Sequence, residues 1–86
     1  MEIYNIIKYP LSTEKSIRLM EAENKLIFVV NRKSTKKEIK KAIEEMFKVE
    51  VDDVNVFINT DGEKRAYVKF SAKNPAIDIA TQMGLM

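Results

Sequence analysis

The basic residues between Arg32 and Lys41 are the side chains of this sequence best suited to bind another molecule. The segment holds six basic residues and one acid, whereas the rest of the 86-residue chain has more acids than bases. A cationic segment of this density is typical of a surface that binds a polyanion. The alternative is a solvated helix face, and charge alone does not decide between them. The basic residues are Arg32, Lys33, Lys36, Lys37, Lys40 and Lys41.

Four of these cations, Arg32, Lys33, Lys36 and Lys37, surround the start of the most strongly predicted helix. Thr35 and Glu38 have the spacing of a capping box, and an apolar stripe with helical periodicity follows them. Cations near a helix N-terminus oppose its macrodipole, so their placement indicates a use other than helix stability. A bound anion would interact with the free N–H groups and the lysines together, and we therefore favour phosphate contact. The stripe is Ile39, Ala42, Ile43, Met46 and Phe47.

A predicted β-hairpin carries a second candidate surface. Residues 54–59 and 65–71 alternate in polarity, and Asp61-Gly62 between them indicates a two-residue type I′ turn. Val54, Val56 and Ile58 face one side, with Ala66, Val68 and Phe70. Phe57, Tyr67 and Ser71 face the other, where the two aromatic rings among Asn55, Asn59, Arg65 and Lys69 could stack bases. For Phe57 we favour a cross-strand pair beneath the C-terminal helix, and for Tyr67 the two interpretations stay open.

The remaining elements follow from apolar patterns and turn residues. A first strand is predicted within residues 3–7 or 6–9, ending at Pro10. Ser12 or Thr13 then caps a short helix with Ile17, Met20 and Ala22 inward and Leu19 exposed. The apolar run Leu26 to Val30 predicts a strand covered on both faces. Asn74-Pro75 caps a last helix that ends at Gly84. The order β-α-β-α-β-β-α predicts one α+β domain with a mainly antiparallel sheet.

Several functional classes are disfavoured by what the sequence lacks. It contains no Cys and no His, so disulfides, thiolate metal sites and the commonest catalytic bases are excluded. The acids between Glu44 and Asp53 lack calcium-loop spacing, and we expect no metal, no cofactor and no enzyme activity. The longest apolar run has far fewer than the roughly 20 residues of a membrane helix. We expect a cytoplasmic protein that does not insert into membranes.

Five motifs in register resemble the ribosomal protein L twenty-three family of the large subunit. They are P-L-S-T-E-K-S at 10–16, K-L-I-F-V-V at 25–30, T-K-K-E-I-K-K-A-I-E-E-M-F-K-V-E-V at 35–51, V-N-V at 54–56 and K-R-A-Y-V-K-F at 64–70. The resemblance covers nearly the whole chain. Phe70 stands where Leu is common, which preserves the apolar role.

The resemblance implies a protein that binds large-subunit ribosomal RNA at the rim of the polypeptide exit tunnel. Its neighbour there is ribosomal protein L twenty-nine, and its surface helps to dock the signal recognition particle and translocation channels. The acid of the S-T-E-K motif, Glu14, is implied to contact such factors, and Lys64-Arg65 belongs to the signature strand. The expected RNA-binding residues are Arg32, Lys33, Lys36, Lys37, Lys40, Lys64, Arg65, Tyr67 and Lys69.

Two differences from other family members indicate an archaeal-type compact form. The connection 60–63 is too short for the long bacterial hairpin extension that reaches the tunnel wall, and the basic N-terminal extension of eukaryotic members is missing. Trigger factor is therefore a poorer expected partner than the signal recognition particle. We expect a monomer in isolation. The competing hypotheses are an RNA-recognition-type module, an acylphosphatase-like enzyme and a scaffold that does not bind RNA.

Overall fold

The apolar side chains that alternate along the strands form one face of the sheet, and the helices pack on that face. The computed structural model describes residues 6–84, in which a four-stranded antiparallel sheet has the strand order β1-β2-β4-β3. The predicted α+β class and element order are confirmed. The elements are β1 (Ile7–Pro10), α1 (Glu14–Glu23), β2 (Lys25–Val30), α2 (Lys36–Phe47), β3 (Val51–Ile58), β4 (Lys64–Phe70) and α3 (Ala76–Gln82).

One core lies between this sheet and the three helices. Phe28, Val68 and Phe70 are almost fully buried on the covered face, and Ile39, Ile43 and Ile79 of the helices pack with them. The other face, which we call the open face, carries no helix among the described residues. Even so, Ile27 and Val29 on that face are only 3% and 2% exposed. The prediction that strand β2 is covered on both faces is therefore confirmed.

The predicted first strand lies partly outside the described residues, whereas the observed strand β1 lies within them. It runs from Ile7 to Pro10, so it starts and ends later than predicted, while residues 3–5 lie outside the described part of the chain. Its pairing with β2 shifts register between Ile7 and Tyr9. A second shift lies in β3, between Val51 and Asp53, where that strand pairs with β4.

Helix α1 begins as predicted but buries a different stripe. Thr13 is the N-cap and forms a capping box with Ser16. Ser16 and Met20 are buried, whereas Ile17 is 39% exposed and Ala22 is exposed, so the inward assignment was right only for Met20. Leu19 is half-buried instead of exposed. Burying Ser16 costs little because its hydroxyl donates to the Thr13 carbonyl at 2.8 Å.

Helix α2 matches the prediction closely. Thr35 and Glu38 form the capping box, with Glu38 N to Thr35 Oγ1 at 3.2 Å and Thr35 N to Glu38 Oε1 at 3.0 Å. The predicted stripe packs on the sheet, buried at its first three positions and half-buried at Met46 and Phe47. The helix ends at Lys48, which has a left-handed backbone with φ 57°.

The hairpin differs from the prediction at its turn. Gly62 has φ 81°, but Asp61 does not have the positive φ that a type I′ turn requires, so that assignment was wrong. The loop is instead closed by Asn59, whose Oδ1 accepts from the backbone N–H of Asp61 at 3.0 Å and of Glu63 at 2.9 Å. Ala66, Val68 and Phe70 point inward as predicted.

Three exposure assignments in and around the hairpin were wrong. Ile58 lies at the strand end and is 58% exposed although it was predicted to face inward. Phe57 is 59% exposed, so no helix covers it. Ser71 is buried instead of outward, because the chain leaves the sheet there and the Ser71 N–H donates to the Glu50 carbonyl.

Helix α3 begins at Ala76, one residue later than predicted. Pro75 occupies the N-cap position, and Asn74 does not cap the helix, because its Oδ1 accepts from the Glu50 N–H at 2.9 Å. The cap comes from a distant residue. Asn24 Oδ1 accepts from the Ala76 N–H at 2.6 Å. Gly84 lies beyond the helix with φ 76°, as expected for a stop.

Asn24 joins three elements through one side chain. It terminates α1 with a left-handed backbone, φ 57°. Its Nδ2 lies within 3.1–3.3 Å of the carbonyl oxygens of Phe70, Ser71 and Asn74, while its backbone carbonyl accepts from the Phe70 N–H. Asparagine suits this position because it tolerates positive φ better than most residues and carries both a donor and an acceptor.

We expect Asn24→Gly to lower the free energy of unfolding by about 1–3 kcal/mol, because backbone groups would lose their partner. Asn24→Ala should lower the free energy of unfolding by about 1 kcal/mol more than Asn24→Gly does, since Ala disfavours the left-handed backbone that Gly accepts. Lys48→Gly is the matched control, a left-handed helix end whose side chain is exposed. Urea denaturation measures all three. An Asn24→Gly protein as stable as the wild type would contradict this role.

Candidate nucleic-acid interface

The cations of the basic segment, Arg32 to Lys41, are available to a partner. Every basic residue in it is exposed. The three ion pairs among residues 6–84 are Arg18 with Glu14, Lys25 with Glu23 and Arg65 with Glu63, and none of them uses a cation of this segment. The predicted residues Arg32, Lys33, Lys36, Lys37 and Lys40 are thus brought together on the loop and first turns of α2. Asp52 and Asp53 line the same groove as Lys36, Lys37 and Lys40, but neither forms an ion pair with them.

A hydrogen-bonded turn holds the first part of this segment. Asn31 accepts from the Lys33 N–H through Oδ1 at 2.9 Å and from the Ser34 N–H through its carbonyl at 3.0 Å. Ser34 is buried, and its hydroxyl also donates to the Asn31 carbonyl. The loop therefore directs Arg32 and Lys33 outward while its polar backbone is satisfied.

Lys64 contributes to this loop in a different way from the other predicted RNA-binding residues. Its ammonium group donates to the carbonyl oxygens of Arg32, at 3.2 Å, and Ser34. The side chain is engaged within the protein and holds the loop against the start of β4. The structure assigns Lys64 a positioning role, which its signature-strand location did not reveal.

Arg65 belongs to a small polar network on the open face. Its Nε donates to Glu63 Oε1 at 2.9 Å, and the Tyr9 hydroxyl donates to Glu63 Oε2 at 3.1 Å. The hydrogen bond from Arg65 and then the one from Tyr9 lower the pKa of Glu63. The same carboxylate raises the pKa of Tyr9. The network links β1 to the hairpin, and it offsets part of the positive charge of Arg65.

Phe57 and Tyr67 form a contact pair on the open face. Their ring centroids are 5.3 Å apart with an interplanar angle of 79°, an edge-to-face arrangement. They do pair across strands, but the pair lies opposite the helices. The prediction of a place beneath the C-terminal helix is therefore wrong. The alternating pattern showed that both rings share a face, but not which face the helices cover.

Lys15 is a residue of this surface that the sequence did not single out. Its Nζ lies 5.8 Å from the centroid of the Tyr67 ring, within the range of a cation–π interaction. The sequence could not indicate this contact, because 52 positions separate Lys15 and Tyr67 along the chain. Lys69, two residues after Tyr67 on β4, is exposed and lies opposite Asp53 in the β3–β4 register.

Glu14 lies in the first turn of α1, where a carboxylate is favourable beside the helix dipole. Its Oε1 accepts from Arg18 at 2.9 Å, with side-chain exposures of 84% for Glu14 and 77% for Arg18. Such an exposed pair contributes little to stability, so the carboxylate can exchange this partner for another. Because Lys15 reaches Tyr67, this helix start lies beside the open face.

No cluster of three or more acidic side chains between residues 6 and 84 is arranged to hold a metal ion. No helix in that range is long and apolar enough to cross a membrane.

The Glu63 network predicts a pH dependence. Because the folded-state pKa of Glu63 is lowered, the carboxylate stabilises the fold above the unfolded-state pKa of a glutamate. This contribution is lost as the pH falls through the lowered folded value. Tyr9→Phe removes one hydrogen bond and should raise the pKa of Glu63, as seen in a carboxyl-carbon NMR titration. Tyr67→Phe is the control, and the idea fails if both variants titrate alike.

Comparison with known proteins agrees with these features. The profile of the family described as Ribosomal protein L23 matches residues 5–81. The chain is 40% identical over 85 residues to the large ribosomal subunit protein uL23 of Methanococcus aeolicus, and 41% identical over 85 residues to that of Methanococcus vannielii. Each alignment covers 99% of both chains. With its α+β fold, its motifs in register and this full-length similarity, the chain belongs to the ribosomal protein L23 family.

Proposed function

We propose that this chain is a structural component of the large ribosomal subunit that binds large-subunit ribosomal RNA near the polypeptide exit tunnel. The observation that carries the proposal is the basic segment, whose exposed cations have no ion-pair partner within residues 6–84. Phosphates are the partners that such a segment fits, because each neutralised phosphate releases counterions. The protein would act in the cytoplasm, bound to the ribosome.

The local structure supports phosphate contact over a solvated helix face. Lys36 and Lys37 occupy the first turn of α2, where the macrodipole adds to their charge and would favour an anion. The Lys64 ammonium donates to the Arg32 and Ser34 carbonyls in the loop before α2. These hydrogen bonds fix the direction of Arg32 and Lys33. The two relatives are both named large ribosomal subunit proteins, which agrees with this assignment.

Binding to large-subunit RNA should be strongly dependent on salt. The logarithm of the affinity should fall linearly with the logarithm of the salt concentration. Lys36→Ala with Lys37→Ala should reduce that slope by about two, one for each lost phosphate contact. Lys73→Ala is the control, since this exposed lysine follows β4 at the opposite end of that strand from Lys64. A salt-independent affinity in the wild type, or no preference over unrelated RNA, would refute RNA binding as the function.

A protein-docking role is a second part of the proposal, carried by the exposure of Glu14. We propose that this carboxylate contacts the signal recognition particle or a translocation channel at the ribosome, with ribosomal protein L twenty-nine as the neighbouring subunit protein. Among residues 6–84, the Glu14 carboxylate is bound only to Arg18 of its own helix, so a visiting basic side chain can replace that partner. The proposal agrees with the S-T-E-K motif.

Glu14→Ala should weaken binding of the signal recognition particle to ribosomes that contain the variant. It should leave RNA affinity unchanged and lower the free energy of unfolding by only about 0.3–1 kcal/mol, as expected for a first-turn carboxylate. Glu21→Ala is the matched control, an exposed acid on the same helix. Co-sedimentation measures binding to the ribosome. Loss of RNA binding in Glu14→Ala would show that the residue has been assigned to the wrong surface.

A further inference from the structure

We propose that the ring of Phe57 stacks on an unpaired nucleobase of the bound RNA, and that Tyr67 holds the ring while Lys15 and Lys69 contact the flanking phosphates. This inference rests on the proposed RNA-binding function and assigns a second contact surface to it. It concerns the open face, whereas the basic segment projects from the loop and helix at one end of the sheet.

The exposure of Phe57 is not explained by the stability of the fold. Ile27 and Val29, the apolar residues of β2 on the open face, are already only 3% and 2% exposed. Phe57 lies on the outermost strand, β3, and remains 59% exposed. A phenyl ring left in water there forgoes much of its hydrophobic stabilisation. A flat aromatic surface on a sheet is, however, the platform on which unpaired bases stack.

Neighbouring side chains hold the ring in a defined place. Phe57 pairs with Arg65 in the strand register and contacts the Tyr67 ring, one step along β4, at 5.3 Å. Tyr67 is itself half-buried between strands and has Lys15 near its ring. The orientation of the platform is thus fixed before binding, which reduces the entropy lost when a base stacks on it.

The charges around the aromatic pair favour a nucleic acid over an apolar protein surface. Lys15 lies beside Tyr67, and Lys69 is exposed one step further along β4. Neither forms an ion pair among residues 6–84. Asp53 opposes Lys69, but its carboxylate is turned along β3, where it accepts from the Val54 N–H at 2.9 Å. Cations beside an exposed ring match the alternation of bases and phosphates in an unpaired strand.

The surface is continuous with the basic segment. Phe57 and Arg65 form one row of the sheet, and Ile58 and Lys64 form the next. Phe57 itself belongs to the first row, so only the row of Ile58 and Lys64, whose side chains face the other side of the sheet, separates the aromatic pair from the loop of basic residues. The Lys64 ammonium bonds to the Arg32 carbonyl of that loop. One RNA segment can therefore contact both surfaces without a change in the fold.

The test compares Phe57→Leu with Phe57→Tyr, titrated with large-subunit RNA of the same organism at several salt concentrations. Phe57→Leu keeps an apolar side chain but removes the π-face. Its affinity should fall about 5- to 100-fold at every salt concentration with the slope unchanged, the effect of losing one stacked base. Phe57→Tyr should stay within about threefold of the wild type. Ile58→Ala is the control, since that residue is equally exposed but faces the other side of β3.

The outcomes separate this inference from the RNA-binding proposal. If the wild type shows salt-dependent binding and Phe57→Leu binds as tightly, the stacking inference is overturned while RNA binding by the basic segment stands. If Phe57→Leu binds RNA normally but joins large subunits poorly in a reconstitution assay, the ring contacts a protein, and the inference is equally overturned. A photo-crosslink between a base and Phe57 or Tyr67 in the wild type would support it independently of variant stability.

Discussion

The arrangement of the helices on the sheet depends on the hydrogen bonds of Asn24. This residue ends α1, its side chain donates to the carbonyl of Phe70 at the end of β4, and its Oδ1 caps α3. Three elements therefore meet at one residue. Helix α3 has no side-chain cap of its own and is only seven residues long, too short to be stable without tertiary contacts. With α3 held there, Ala76, Ile79 and Ala80 close the core beneath the strands, and the opposite face of the sheet carries no helix among residues 6–84.

Local patterns in the sequence were sufficient to predict the elements whose signals are themselves local. The capping box and apolar stripe of α2 lie within thirteen residues, and the alternation in β4 lies within seven, so both were predicted correctly. The cap of α3 could not be predicted, because its partner lies 52 residues away. The stripe of α1 was misjudged because Ser16, a polar residue, occupies the buried position that a hydrophobicity pattern assigns to Ile17.

The candidate site likewise combines features that local sequence predicts with features that depend on contacts between distant residues. The basic segment could be recognised from its density alone, whereas the internal role of Lys64 and the place of Lys15 depend on contacts between distant elements. Hydrophobic alternation identifies which residues share a face of a sheet, but the cover of that face is a tertiary property, and Phe57 was misassigned for this reason. Family membership confirms that the chain is not an enzyme, since the family consists of structural ribosomal proteins.

The two register shifts at the margins of the sheet bear on the solubility of the free protein. Each outer strand of an open sheet offers unpaired N–H and C=O groups that can template growth with another copy. Here β1 is only four residues long, carries a register shift and ends in Pro10, which has no N–H to offer. On the other margin, β3 is interrupted between Val51 and Asp53, beside the exposed acids Asp52 and Asp53. Irregular pairing thus protects both margins against fibre-like association.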